Sequence, residues 1–199
     1  MLAREGETMS GAMRVPVTGR RAAAAVLAPG MLILALIASA PTAFAATRTH
    51  LGQTRENYHC SATDQWIQTA SAGPTYVVPA GDTKITRWST NGGKDAGTMQ
   101  FEVWAPAGGN NYRLVYISAP TTLQVRTVTK VALKRAVTVV AGDVIGYRAV
   151  TAADCARKTG RGTDVYLYGP SSSVPTVGST AAFLGPATGF EFNIAALAH

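Results

Sequence analysis

The feature that most constrains the fold is a series of extended runs and Gly/Asn-rich connectors between Thr83 and Ser118. In the middle run, residues 99–105, apolar residues alternate with Gln100, Glu102 and Trp104. Period-two alternation is typical of a strand with one buried and one solvated face. The connectors contain Asn-Gly-Gly and Gly-Gly-Asn-Asn, which permit tight reversals of the chain. The stretch therefore predicts a three-stranded antiparallel meander in which Trp104 and Glu102 share the wet face.

The same extended character continues through the rest of the chain beyond residue 46. Short apolar or alternating runs recur at 64–69, 75–78, 123–127, 144–150, 164–168 and 189–197, and no run has the apolar spacing of a helix. The phrase Ala-Gly-Asp follows an apolar strand end twice, at 80–82 and at 141–143, which predicts two equivalent corners. About ten short strands predict an all-β fold, a single antiparallel β-sandwich of jelly-roll type over residues 46–199.

Residues 1–45 have the pattern of a secretory signal peptide. Basic residues precede an almost wholly apolar run over 22–40. The small residues Ala43 and Ala45 then occupy the two positions that signal peptidase recognises before its cleavage site. A membrane anchor is the alternative, since the run is long enough to span a bilayer, but Pro29-Gly30 interrupts it. Met9 or Met13 is an alternative start to Met1, and the pair Arg20-Arg21 leaves twin-arginine export open beside the general route.

Charge and cysteine content fit an exported protein. Residues 46–199 carry 14 Lys and Arg against 9 Asp and Glu, a net charge of +5, which is too small an excess to predict nucleic-acid binding. Cys60 and Cys155 are the two cysteines, and outside the cell an isolated pair is most simply one disulfide. No further Cys or His stands at ligand spacing, so we expect neither a metal site nor a cofactor. Once the leader is cleaved, we expect no stable membrane insertion.

Several of these runs resemble one known class of proteins. The runs ITRWST (85–90), MQFEVWAP (99–106), GGNNY (108–112), AGDVIG (141–146) and GFEFNIAA (189–196) resemble a class of secreted β-sandwich domains of the actinobacterial type. The resemblance implies the fold and export. It implies no activity, because none is assigned to that class.

Catalytic constellations are weak in this sequence. Two of the three histidines, His50 and His199, lie near the ends of the mature chain, where a catalytic base is rarely held in place. A glycosidase needs two carboxylates across a cleft, and Glu102 and Glu191 are predicted on the wet faces of separate strands. We therefore expect no catalytic residues, with a secreted polysaccharide hydrolase as the alternative.

A binding module is the leading functional hypothesis. An indole on a wet face stacks well on sugar rings, so Trp104 with Glu102 is the first candidate for ligand contact. Asn110, Asn111 and Tyr112 at the next turn would extend that edge, unless they only form the turn. We expect a non-catalytic protein at or outside the cell envelope that acts in glycan binding or adhesion, with wall or environmental glycans as partners. Basic clusters at 126–135 and 157–161 are candidates for contact with anionic polymers. The sequence leaves the oligomeric state open.

Export is directly testable. Mass spectrometry of protein secreted by cells expressing the full chain should show a mature N-terminus at or beside Ala46, because the small residues of the predicted cleavage site, Ala43 and Ala45, come directly before it. Intact leader on membrane-bound protein would instead identify residues 22–40 as an anchor.

Overall fold

The computed structural model describes residues 48–170 and 174–199, and the predicted signal peptide lies outside these residues. All regular structure in the described ranges is β-strand. The fifteen strands, in chain order, are β1 (Thr49–Gln53), β2 (Tyr58–Cys60), β3 (Gln65–Ala70), β4 (Lys84–Asn91), β5 (Thr98–Pro106), β6 (Asn111–Ile117), β7 (Thr121–Thr122), β8 (Val128–Thr138), β9 (Val144–Ala149), β10 (Ala153–Lys158), β11 (Val165–Tyr168), β12 (Thr180–Ala182), β13 (Leu184–Thr188), β14 (Phe190–Phe192) and β15 (Ile194–Ala198). The all-β expectation is confirmed. No helix in the described ranges is long and apolar enough to cross a bilayer.

The strands form three antiparallel sheets. The four-stranded sheet has the order β1-β15-β4-β8, and the three-stranded sheet has the order β14-β10-β2. The eight-stranded sheet runs β12-β6-β5-β9-β3-β11-β13, with β7 paired to β5. Both termini of the described chain therefore lie in one sheet, where β1 pairs with β15.

The main core lies between β4 of the four-stranded sheet and β5 of the eight-stranded sheet. Trp88 and Phe101, both fully buried, stack with ring centroids 5.8 Å apart and an interplanar angle of 9°. The cross-strand neighbours of Phe101 and Val103 on β9, Tyr147 and Ile145, belong to the same core. This packing buries the face of β5 that the alternation assigned to the interior.

The predicted meander is correct for β5 and β6 and wrong for β4. Strands β5 and β6 pair as neighbours, whereas β4 pairs with β15 and β8 in the other sheet. The Asn-Gly-Gly connector is therefore a crossover between sheets rather than a hairpin. Its conformation is fixed by Asp154, whose Oδ2 accepts the backbone N–H groups of Lys94 and Asp95 at 2.7 and 3.3 Å.

The two predicted corners are confirmed, whereas two of the predicted strands differ in the structure. The two Ala-Gly-Asp corners do share a conformation, since Gly81 and Gly142 have φ of 99° and 95°. The run at 123–127, predicted as a strand, is largely a turn between β7 and β8. The run at 189–197 is divided at Asn193 between β14 and β15, which lie in different sheets.

The predicted disulfide is confirmed. Cys60 on β2 and Cys155 on β10 are bridged, with their Cα atoms 5.7 Å apart. The bridge lies in the three-stranded sheet, whose strands are short and whose β2 has three residues. Because so short a strand forms few backbone hydrogen bonds, the covalent link holds β2 against β10.

Removal of the disulfide should destabilise the protein substantially. The double variant Cys60→Ala/Cys155→Ala removes a cross-link between residues that are 95 positions apart. Because the unfolded chain then gains conformational entropy, we expect the free energy of unfolding to fall by about 4–5 kcal/mol. Equilibrium unfolding in urea measures the difference, with the wild-type protein under reducing conditions as the matched control. A loss below about 1 kcal/mol would show that the loop constraint contributes little.

Candidate functional site

Trp104 and Glu102, the leading candidates for ligand contact, lie on one face of β5 as the alternation predicts. That face is not wet: both side chains are fully buried, and Gln100 beside them is 8% exposed. The expectation that Trp104 presents an exposed indole is therefore wrong. The cause is the segment 174–188, called here the covering segment. It folds back over this face, and its strand β12 pairs with β6.

A second apolar cluster, the outer core, forms under this covering segment. It consists of Ile67, Trp104, Tyr112, Leu114, Val144, Leu167 and Phe183. The Phe183 ring meets the Trp104 indole edge-on with centroids 5.0 Å apart, and it also packs on Tyr112 at 5.5 Å. Tyr112, expected at a binding edge, is thus a core residue.

Asn110 and Asn111 act as turn residues in the structure. The Asn111 side chain donates to the carbonyl of Gly108 at 3.1 Å, and the Asn110 side chain donates to the carbonyl of Gly185 at 3.0 Å. Gly108 and Gly109 both have positive φ, as a tight reversal requires. The hydrogen bond of Asn111 shapes the β5–β6 turn, and the hydrogen bond of Asn110 fastens the covering segment to that turn.

Glu102 is the central residue of a buried polar cluster at the edge of the outer core. Its carboxylate accepts hydrogen bonds from Gln65 Nε2 at 2.8 and 2.9 Å and from Trp104 Nε1 at 2.9 Å. Burial raises the pKa of Glu102 to about 7, although the hydrogen bonds from Trp104 and Gln65 and the charge of Arg148 act in the opposite direction. The cluster is enclosed by protein, so its carboxyl group is a structural acid.

Glu191, the other carboxylate considered for catalysis, lies elsewhere. It is 3% exposed on β14, not on a wet face, and its Oε1 and Oε2 are 3.6 and 3.8 Å from the Nη1 atoms of Arg161 and Arg157. Together with Arg55, these arginines line a pocket of about 360 Å³. Glu102 and Glu191 occupy different sheets and share no hydrogen-bond partner, so the structure does not bring them together as a catalytic pair.

A cavity opens beside β8. It has a volume of about 500 Å³ and is lined by Trp88, Tyr116, Ser118, Ala119, Thr121 and residues 131–135. A local irregularity in β8 produces it: the partner of Ile85 is Val137, but the partner of Arg87 is Ala132, so β8 carries three more residues than β4 there. The surplus residues bulge outward and leave a gap beside the aromatic core.

The lining of this cavity, called here the β8 groove, is mainly apolar with basic groups at its rim. Trp88 forms part of its wall, and the Trp88 indole N–H has no hydrogen-bond partner within the described ranges. Tyr116 contributes a half-buried ring, and burial raises the pKa of its hydroxyl. Lys134 and Arg135 belong to the exposed bulge. The basic residues of this region are evident in the sequence, but the groove is not, since the bulge in β8 follows from its pairing with β4.

A further cluster joins three segments that are distant in sequence. His59, Asp95 and Asp154 place one nitrogen and two carboxylate oxygens within 4.8 Å of one another. Sequence spacing predicted no such group. The cysteines were the available signal, because the residues that precede two bridged cysteines, His59 and Asp154, come together when the bridge forms.

Comparison with known protein families, curated proteins and solved structures finds no match to this chain. The resemblance to secreted actinobacterial-type β-sandwich domains therefore stays a prediction.

The buried carboxyl group should make stability depend on pH. The pKa of Glu102 is about 7 in the folded protein and 4.5 in the exposed group. The protonated carboxyl therefore contributes to the free energy of unfolding. This contribution is fully present below pH 4.5 and is lost as the pH rises through about 7. Glu102→Gln keeps the shape without the charge. We expect this variant to match the wild type at pH 4.5 and to exceed its free energy of unfolding by about 3 kcal/mol at pH 8.5.

Urea unfolding at a series of pH values measures this difference. Glu191→Gln is the matched control, since it removes a buried carboxylate that faces two arginines and should lower stability at pH 8.5 instead. If the stability of Glu102→Gln relative to the wild type does not rise between pH 4.5 and pH 8.5, the expected rise in the pKa of Glu102 is wrong.

Proposed function

We propose that this chain is an exported, non-catalytic binding protein that acts at or outside the cell envelope and holds an acidic glycan in the β8 groove. The observation that carries the proposal is the groove itself, a cavity of about 500 Å³ bounded by aromatic rings and basic side chains. Cavities of this volume with an apolar lining and few polar groups are the usual form of small-ligand sites.

The chemistry of the lining favours a sugar that carries a carboxylate or sulfate. Aromatic rings such as that of Tyr116 stack on the apolar faces of sugar rings. Lys134 and Arg135 supply positive charge at the rim, and a guanidinium binds a carboxylate with two parallel hydrogen bonds.

Export and the detailed fold form part of the same proposal. The basic, apolar and small-residue pattern of residues 1–45 supports a cleaved signal peptide. The Cys60–Cys155 disulfide is compatible with an oxidising compartment. The packing of β4 on β5 across an aromatic core supports a β-sandwich of jelly-roll type.

Charge reversal at the rim tests the ligand. We expect Lys134→Glu/Arg135→Glu to weaken binding to acidic glycans on an array at least tenfold, because the two exposed cations give way to anions. Arg48→Glu/Lys158→Glu, which reverses two exposed charges outside the groove, is the control and should bind as the wild type does. Equal loss in both variants would assign the effect to overall charge.

A second pair of variants tests the wall of the groove. Tyr116→Ala should remove binding with a small change in thermal midpoint, whereas Tyr168→Ala, which truncates a half-buried tyrosine outside the groove, should retain binding. Binding by wild type to no acidic glycan on the array would contradict the proposal.

A further inference from the structure

We infer that His59, Asp95 and Asp154 form a binding site for a divalent first-row metal ion, with Zn²⁺ as the representative ion. The inference is independent of the β8 groove. One imidazole nitrogen and two carboxylate oxygens are ligands that Zn²⁺ accepts, with water in the remaining position.

The distances between the ligand atoms suit such an ion. His59 Nδ1 is 3.2 Å from Asp95 Oδ2 and 3.5 Å from Asp154 Oδ1. In a tetrahedral site with metal–ligand bonds of about 2.0–2.1 Å, ligand atoms lie about 3.3 Å apart. These two separations lie on either side of that value, and the third, between the two carboxylate oxygens, is within 4.8 Å. Side-chain rotation of the exposed Asp95 would bring all three atoms around one ion.

A proton on His59 satisfies this cluster less completely than a metal ion does. The Nδ1 atom carries at most one hydrogen and can donate it to one oxygen, although it faces a carboxylate on each of two residues. A cation placed among the three atoms binds all of them. Lys94, whose Nζ is 3.6 Å from Asp95 Oδ2, is 72% exposed and is free to turn into solvent when the ion binds.

The scaffold around the cluster holds two of the ligands in place. His59 and Asp154 are cross-strand partners on β2 and β10, and the next residue of each is a cysteine of the disulfide. Asp154 is 4% exposed, and its second oxygen, Oδ2, accepts the N–H groups of Lys94 and Asp95. That second oxygen therefore fixes the carboxylate and positions the turn that carries Asp95.

Gly93 allows this turn to close on Asp154. Its φ is 57°, and a Cβ built at this position would overlap the Asp154 carboxylate. The three ligands thus come from strands β2 and β10 and from the β4–β5 crossover, and the backbone that carries them is held in place before any ion arrives. Such preorganisation lowers the cost of binding.

The identity of the ligands adds a specific expectation. An imidazole nitrogen is a ligand that suits Zn²⁺ and other first-row transition metals. An imidazole ligand also selects against Ca²⁺, which prefers six to eight oxygen ligands. We therefore expect Zn²⁺ to bind at pH 7.5 and Ca²⁺ at the same concentration to leave it bound.

Equilibrium dialysis against Zn²⁺ at pH 7.5, followed by metal analysis, tests the site on the secreted chain prepared without a polyhistidine tag. We expect one Zn²⁺ per chain, with at least tenfold weaker binding in His59→Asn and in Asp95→Asn. Both side chains are partly exposed, at 45% and 43%, so these variants should fold. His50→Asn, on β1, is the matched control and should retain the ion.

Nuclear magnetic resonance of the ring nitrogens gives a second readout that does not depend on variants. Addition of Zn²⁺ should shift the Nδ1 resonance of His59 to the range of a metal-bound nitrogen. Absence of binding by the wild type, or equal binding by the His59→Asn and Asp95→Asn variants, would overturn the inference.

Discussion

The structure depends on the side chain of Asn193, which joins the four-stranded sheet to the three-stranded sheet. Its Nδ2 donates to the carbonyl of Asn91 at 2.6 Å and to that of Asp154 at 2.9 Å, while its Oδ1 accepts the N–H of Asn91 at 2.9 Å. Asn91 ends β4, Asp154 lies on β10, and Asn193 itself separates β14 from β15. A fully buried amide must satisfy all of its hydrogen bonds, so this junction allows one arrangement of the strands around it.

Patterns that rest on local geometry were predictable from the sequence. Alternation placed Phe101 and Val103 on one face of β5 and Glu102 and Trp104 on the other, and the structure confirms that division. The positive φ of Gly81 and Gly142 and the pairing of Cys60 with Cys155 are also as expected. Each follows from residues that are adjacent in sequence or from chemistry that only two residues share.

What the sequence could not supply is the identity of distant partners. Trp104 is buried because Phe183, far along the chain, covers it, and most of the residues around Phe183 in the sequence are exposed. The connector at 91–97 was predicted as a hairpin, yet Asp154 binds its amides and directs it across to another sheet. The cluster of His59, Asp95 and Asp154 and the β8 groove have the same origin, since both arise where segments remote in sequence meet.

The bulge in β8 has a consequence for the protein in concentrated solution. Strand β8 is the outermost of its sheet and is eleven residues long, the kind of edge on which a second chain readily adds a strand. The three surplus residues interrupt its row of unpaired backbone groups, and Lys130, Lys134 and Arg135 place charge along it. The irregularity that opens a cavity thus also protects this edge against aggregation.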